Sequence, residues 1–319
     1  MPKPVEDSCM KYICAILIAM TLCSCFASRT DSRSDSIEVS EVENNRTIQQ
    51  PFSRFIGGDE FLHVNDLSSL LAYLDDTPIR ALGFRFGTFS DLSPLSALTE
   101  LVDLDIRFND NITDLSPLGS LVSLQRLALN QRFVGSIEPL SLLVNLQYLN
   151  LVYVNSNYRE LLPLQNLETL ILSERGEGCL DVTYISQLRS LRVLDISSRS
   201  INNIGLLGNL VNLEKLVIRG DGRIDLSWVR SLQNIKYLEL YGTAIECINV
   251  LAELSNLVEV HLFNSVLSDP TPLLESRSIQ IIVQYHDELP TDDVYYEAIR
   301  LQNLFKEQSI NFSRIFSDR

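Results

Sequence analysis

Residues 194–216 read LDISSRSINNIGLLGNLVNLEKL, with leucine or isoleucine at 194, 196, 201, 204, 207, 210, 213 and again at 216. Residues 238–260 repeat the pattern with Leu238, Leu240, Ile245, Ile248, Leu251, Leu254, Leu257 and then Val260. Both stretches place apolar residues at offsets 0, 2, 7, 10, 13, 16, 19 and 22. Two apolar residues spaced by two point to the same side of an extended strand. A run of apolar residues spaced by three suits a tight, 3₁₀-like return path on the other side. One such unit cannot bury its own apolar face, so successive units must stack and share a core.

Working outward, strand starts fall at Leu82, Leu104, Leu127, Leu149, Leu170, Leu194, Leu216, Leu238, Val260 and Ile282. Most spacings are 22 residues; they become 23 after Leu104, 21 after Leu149 and 24 after Leu170. The irregular stretch runs from Tyr158 to Tyr184 and includes Glu174 to Gly178. The chain holds 54 leucines in 319 residues, and 43 of them lie between Leu92 and Leu274. The pattern predicts an α/β solenoid with a parallel concave sheet, short 3₁₀ or irregular convex segments and a helical C-terminal cap.

Three turns carry a closer signature: Asp91-Leu92-Ser93-Pro94-Leu95, Asp114-Leu115-Ser116-Pro117-Leu118 and Ile137-Glu138-Pro139-Leu140. Over roughly residues 80–283 the chain resembles the leucine-rich repeat proteins, in particular the bacterial internalin-type class with 22-residue repeats. The resemblance implies a curved solenoid and leaves function open, because that fold serves many unrelated partners. The sequence also departs from the family. Its usual ladder asparagine, five residues after the strand start, survives only as Asn109; Arg132, Val154, Arg175, Arg199, Asp221, Thr243 and Ser265 stand at the later positions. Looser, wetter turns are expected there.

The repeats lie at 82–283, behind an N-terminal cap at 60–81, in which Leu67, Leu70, Leu71 and Leu74 suit a short helix. Residues 25–59 are polar and aperiodic and read as a flexible tether. Ahead of them, residues 1–24 read as an export signal: Lys11 precedes the apolar run Ile13 to Leu22, which is too short to span a bilayer. Leu22-Cys23-Ser24-Cys25 resembles the lipobox of bacterial lipoproteins, which implies lipidation at Cys25 and a membrane anchor. The neighbouring Phe26, in place of an aspartate, points to the outer membrane. Residues 284–319 form the C-terminal cap, with a helix start at Thr291 and an apolar side from Tyr296, Ile299, Leu301, Leu304 and Phe305.

Net charge is −15, from 26 basic and 41 acidic residues, which excludes nucleic-acid binding through a basic surface. With the signal removed, the cysteines left besides Cys25 are Cys179 and Cys247. They lie three repeats apart, too far for a disulfide, and are expected to be free thiols in the core. His63, His261 and His286 fall in separate parts of the solenoid, so no metal or cofactor site is expected, and no catalytic motif is present. An enzyme is not expected.

The remaining surface is the concave sheet face. Its central column reads Asp105, Ala128, Asn150, Ile171, Asp195, Val217, Glu239, His261. One flank reads Asp103, Arg126, Tyr148, Thr169, Val193, Lys215, Tyr237, Glu259; the other reads Arg107, Asn130, Val152, Ser173, Ser197, Arg219, Tyr241, Phe263. Tyr148, Asn150, Val152, Ile171, Val193, Val217, Tyr237, Glu239, Tyr241, His261 and Phe263 are the candidate binding residues, read as an exposed patch. The expected function is a monomeric, lipid-anchored protein-binding scaffold or adhesin of the cell envelope, its partner coming from a host or from the envelope. The alternative is a structural envelope lipoprotein without a specific partner.

Overall fold

The computed structural model describes residues 80–83, 90–109, 111–130, 136–152, 158–174, 179–220, 222–241, 244–263, 271–286, 301–307 and 310–316. The chain divides into two units, Met1–Gln49 and Gln50–Arg319, and every described residue belongs to the second. The expected signal, Cys25, the tether and nearly all of the N-terminal cap, with His63, lie outside the described residues.

Eleven parallel strands form one sheet in chain order, from Ala81–Gly83 through Asp103–Asp105, Arg126–Asn130, Tyr148–Val152, Thr169–Ser173, Val193–Ser197, Lys215–Arg219, Tyr237–Tyr241 and Glu259–Phe263 to Ile281–His286 and Asn311–Phe316. Leu82, Leu104, Leu127, Leu149, Leu170, Leu194, Leu216, Leu238, Val260 and Ile282 stand side by side in register. All ten predicted strand starts are therefore in place, and none is more than 1% exposed. Burying one such leucine contributes about 1.5–3 kcal/mol, so the stacked row is the main stabilising element. The fold is a curved leucine-rich repeat solenoid.

The return path explains the spacing of three. In the repeat after Asp91, Leu95 N–H donates to the Leu92 carbonyl at 2.9 Å, Leu98 to Leu95 at 2.8 Å and Leu101 to Leu98 at 2.9 Å. The same chain of bonds links Leu115, Leu118, Leu121 and Leu124, and Leu226, Val229, Leu232 and Ile235. With three residues per turn, the bonded residues fall on one line and are buried, Leu98 only partly, while the two between face outward. On this convex side Cys179–Asp181 pairs with Ser200–Asn202, and Arg223–Asp225 with Ala244–Glu246, as two short parallel ribbons.

Asn109 holds its expected place, 0% exposed, with Nδ2 donating to the Ile106 carbonyl at 2.8 Å. Of the seven later ladder positions, only Arg199 falls within the described residues, where it is exposed. A second ladder, which the sequence reading does not contain, lies just before five of the strands. Nδ2 of Asn145, Asn166, Asn212, Asn234 and Asn256 donates to the carbonyls of Val122, Val144, Arg189, Val211 and Gln233 in the preceding repeat, at 2.7–2.9 Å.

Two expectations are corrected. Cys179 and Cys247 are free, as read, but exposed rather than in the core. Cys179 opens a strand whose inward residue is Leu180, and Cys247 sits in left-handed backbone (φ 58°) ahead of a 3₁₀ segment whose core positions go to Val250 and Leu251. The C-terminal segment is more than a helical cap. Residues 301–307 are helical, with Leu301 and Phe305 buried in the core, and Asn311–Phe316 then adds an eleventh strand beside Ile281–His286.

Candidate functional site

Strand pairing aligns the concave columns as read. Asn150, Ile171, Asp195, Val217, Glu239 and His261 stand in register along the centre. Tyr148, Thr169, Val193, Lys215, Tyr237 and Glu259 line one flank; Val152, Ser173, Ser197, Arg219, Tyr241 and Phe263 line the other. The side chains of Asn130 and Val152 lie outside the described residues, as does that of His286.

The face is not the exposed apolar patch expected. Val217 is 1% exposed, His261 6%, Asn150 7% and Phe263 7%; Tyr148, Ile171, Val193, Tyr237, Glu239 and Tyr241 are half-buried. The cause is geometric. Val217 is flanked on its own strand by Lys215 and Arg219 and across the sheet by Asp195 and Glu239. Lys215 Nζ lies over the Tyr237 ring at 4.4 Å, and Arg219 ion-pairs with Asp195 and, at 3.0 Å, with Glu239. These long side chains lie across the sheet and close over the valine. Among the described residues the most exposed large apolar side chains lie elsewhere, as at Leu142 at the end of a 3₁₀ segment and at Val122, Val144 and Val211 just after such segments.

The columns divide into two clusters. Toward the C-terminus, the Tyr237 hydroxyl donates to Glu239 Oε2 at 2.6 Å, and His261 Nε2 pairs with Glu259. The Tyr241 and Phe263 rings stack at 4.1 Å, almost parallel, with the Arg219 guanidinium 5.2 Å from the Tyr241 centroid. Burial, then the charge of Glu239, pushes the Tyr241 phenol up to about 12 and raises Tyr237 as well. Burial also raises the Asp195 carboxyl, against the pull of Arg219. For Arg219 burial works against the charge, and Asp195 and Glu239 outweigh it. Charges here answer one another, and the rings are locked.

Toward the N-terminus the pairing is incomplete. Arg107 donates from Nε and Nη2 to Asp105 at 2.9 and 2.7 Å, with Asp105 only 1% exposed. Arg126 stacks on Tyr148 at 4.4 Å, and its Nε approaches Asp103 Oδ2 at 3.3 Å. Yet Arg126 Nε and Nη1, Asp103 Oδ1 and Asn150 Oδ1 are shielded from solvent and make no hydrogen bond among the described residues. Burial outweighs Arg126 and raises the Asp103 carboxyl. Asp103, Arg126, Asp195, Lys215 and Arg219 were readable as flank and column residues but not as site residues. Their signal was opposite charge on neighbouring or diagonal column positions.

No group of three or more His, Cys, Asp or Glu among the described residues could hold a metal ion. No helix among them is long and apolar enough to cross a membrane.

No family model matches the chain, and neither does any curated protein. Solved structures do. A leucine-rich repeat protein of Leptospira interrogans matches with a TM-score of 0.56 at 18% identity, over 80% of this chain and 72% of that one. An internalin of Listeria monocytogenes matches with a TM-score of 0.52 at 20% identity, over 73% and 74%. Their shared class is the leucine-rich repeat fold, and at such identities the likeness extends to fold alone.

Proposed function

We propose that this chain is a lipid-anchored protein-binding scaffold or adhesin of the cell envelope, held at the outer membrane through Cys25, which takes a protein partner on the concave face of its solenoid. The observation that carries this reading is the rigid aromatic lattice: Tyr237 and Tyr241 are half-exposed yet fixed by Glu239, Phe263 and Arg219. Aromatic anchors that lose little freedom on association are favoured contact residues. Ile171 and Val193, half-buried on adjacent strands, lie beside this lattice and complete the surface.

The test compares capture of envelope or host proteins by the full chain and by its Ile171→Arg, Val193→Arg double variant, with circular dichroism as the fold check. Val217 is unsuitable as a probe because a charge there would be buried. A protein retained by the wild type and lost by the variant supports the reading. Equal retention, or none by either, favours the structural envelope lipoprotein without a partner, for which the self-paired charges of the Asp195–Arg219–Glu239 group speak.

A further inference from the structure

Six buried side-chain polar atoms lack a hydrogen bond among the described residues, and four of them belong to three residues on neighbouring strands: Asp103 Oδ1, Arg126 Nε and Nη1, and Asn150 Oδ1. The three residues occupy adjacent strands of the concave sheet: Asp103 pairs with Arg126, which pairs with Tyr148, two residues before Asn150. Ala128 stands between Asp105 and Asn150 in the central column, so its short side chain leaves a low floor beneath these groups. The C-terminal cluster of the same face shows that this fold can satisfy such a network, since none of its buried side-chain atoms is left over. Buried polar groups without partners are costly, and a native chain keeps them where something else completes them.

The chemistry of the orphans describes their missing partner. Two are oxygens, one carboxylate and one carboxamide, that need donors; Arg126 Nη1 needs an acceptor, while Nε has only the long ion pair to Asp103 Oδ2 at 3.3 Å. The charges around the floor, Asp103 and Asp105 against Arg107 and Arg126, sum to zero, so an ion would be buried there without compensation. A neutral group offering both N–H and C=O fits. Asn150 contributes to this whichever way its carboxamide is turned, since its buried end remains without a partner.

We propose that Asp103, Arg126 and Asn150 form a subsite for a neutral carboxamide of a bound protein, such as an asparagine or glutamine side chain. The amide N–H groups donate to Asp103 Oδ1 and Asn150 Oδ1, and its oxygen accepts from Arg126. Arg126, its guanidinium 4.4 Å from the Tyr148 ring centroid, is held on that ring as it donates. The proposal rests on the reading of the concave face as the ligand face, but its test does not.

The full chain, labelled with ¹⁵N, is titrated with N-acetylglutamine methylamide and separately with the glutamate counterpart. Saturable shifts of the Arg126 Nε–H and Asn150 Nδ2–H₂ signals are expected with the amide, and binding about tenfold or more weaker with the glutamate. Asn150→Leu should lose amide binding while melting no lower than wild type, because it removes a buried unpaired oxygen. Ala128→Leu, which fills the floor, should lose it too. No saturable shift, or equal shifts from amide and acid, overturns the subsite and leaves the cluster to internal water. Amide binding with no captured protein keeps the subsite and sinks the protein-partner reading; capture without amide binding does the reverse.

Discussion

Asp114, Asp181 and Asp225 open their turns in the same way. Each Oδ1 accepts the backbone N–H two residues on, from Ser116, Thr183 and Ser227, at 2.8–2.9 Å. Hydrogen bonds to the charged form hold all three carboxyls below the ordinary carboxylate range. A folded-state value below the unfolded one gives stabilisation that is present above the unfolded pKa, about 3.9, and is lost as pH falls through the lower folded value. Asp103 and Asp195 run the opposite way: burial raises them, so their contribution is greatest below the unfolded pKa and fades as pH rises through the folded one. Replacing the three turn aspartates together by asparagine is expected to lower Tm at neutral pH and to flatten its fall between about pH 5 and pH 2. Melting curves of variant and wild type that run parallel across that range would refute it. The sequence displayed Asp114 as part of a turn signature, though not Asp181 and Asp225, and it displayed the concave columns residue by residue. It could not display exposure, because whether Val217 is open depends on where Lys215 and Arg219 lay their long side chains.

At the scale of the element, the repeats are joined by more than leucine packing. The asparagine in the Leu-x-Asn-Leu or Leu-x-Asn-Ile step just ahead of five strands reaches the carbonyl of the preceding repeat, and Ser278 Oγ takes over the role by donating to the Leu254 carbonyl at 2.7 Å. Gly208 marks how closely neighbouring turns approach: a Cβ there would lie 3.0 Å from the Trp228 carbonyl oxygen. Asn234→Ala removes one rung and is expected to cost about 1 kcal/mol in urea unfolding, the worth of an ordinary intramolecular hydrogen bond. An unchanged urea midpoint would mean that water replaces the rung at no cost. This ladder was visible as letters at 143–146, 164–167, 210–213, 232–235 and 254–257. It escaped notice because polar residues between core leucines read as solvent-facing, and the family's ladder position lies in another turn. The last strand escaped for a different reason. Asn311–Phe316 aligns Phe312 with Ile282 but Arg314 with Gln284, so the apolar pair that marks the strand starts up to Val260 and Leu262 is broken here, and the strand lies outside the 22-residue spacing that still locates Ile282.

At the scale of the molecule, a stack of repeats has no centre: each unit is stabilised by its own core row and by its two neighbours. The last row therefore depends on what closes it, and here the closing residues are Leu301 and Phe305 of the helical segment, 1% and 0% exposed. Phe305→Ala opens that end, at a cost of about 3–5 kcal/mol if the site does not collapse. Because coupling passes only between neighbours, the loss should stay local. Hydrogen exchange is expected to quicken in Ile281–His286 and Asn311–Phe316, while Arg126–Asn130 through Val193–Ser197 keep their protection. Leu194→Ala, in the middle of the row, should instead loosen both flanking repeats, because it weakens a unit on which two others rest. If Phe305→Ala raised exchange evenly from Arg126 to Phe316, the described repeats would unfold as one block rather than as a chain of coupled units. The concave clusters would then share their stability with the far end of the solenoid.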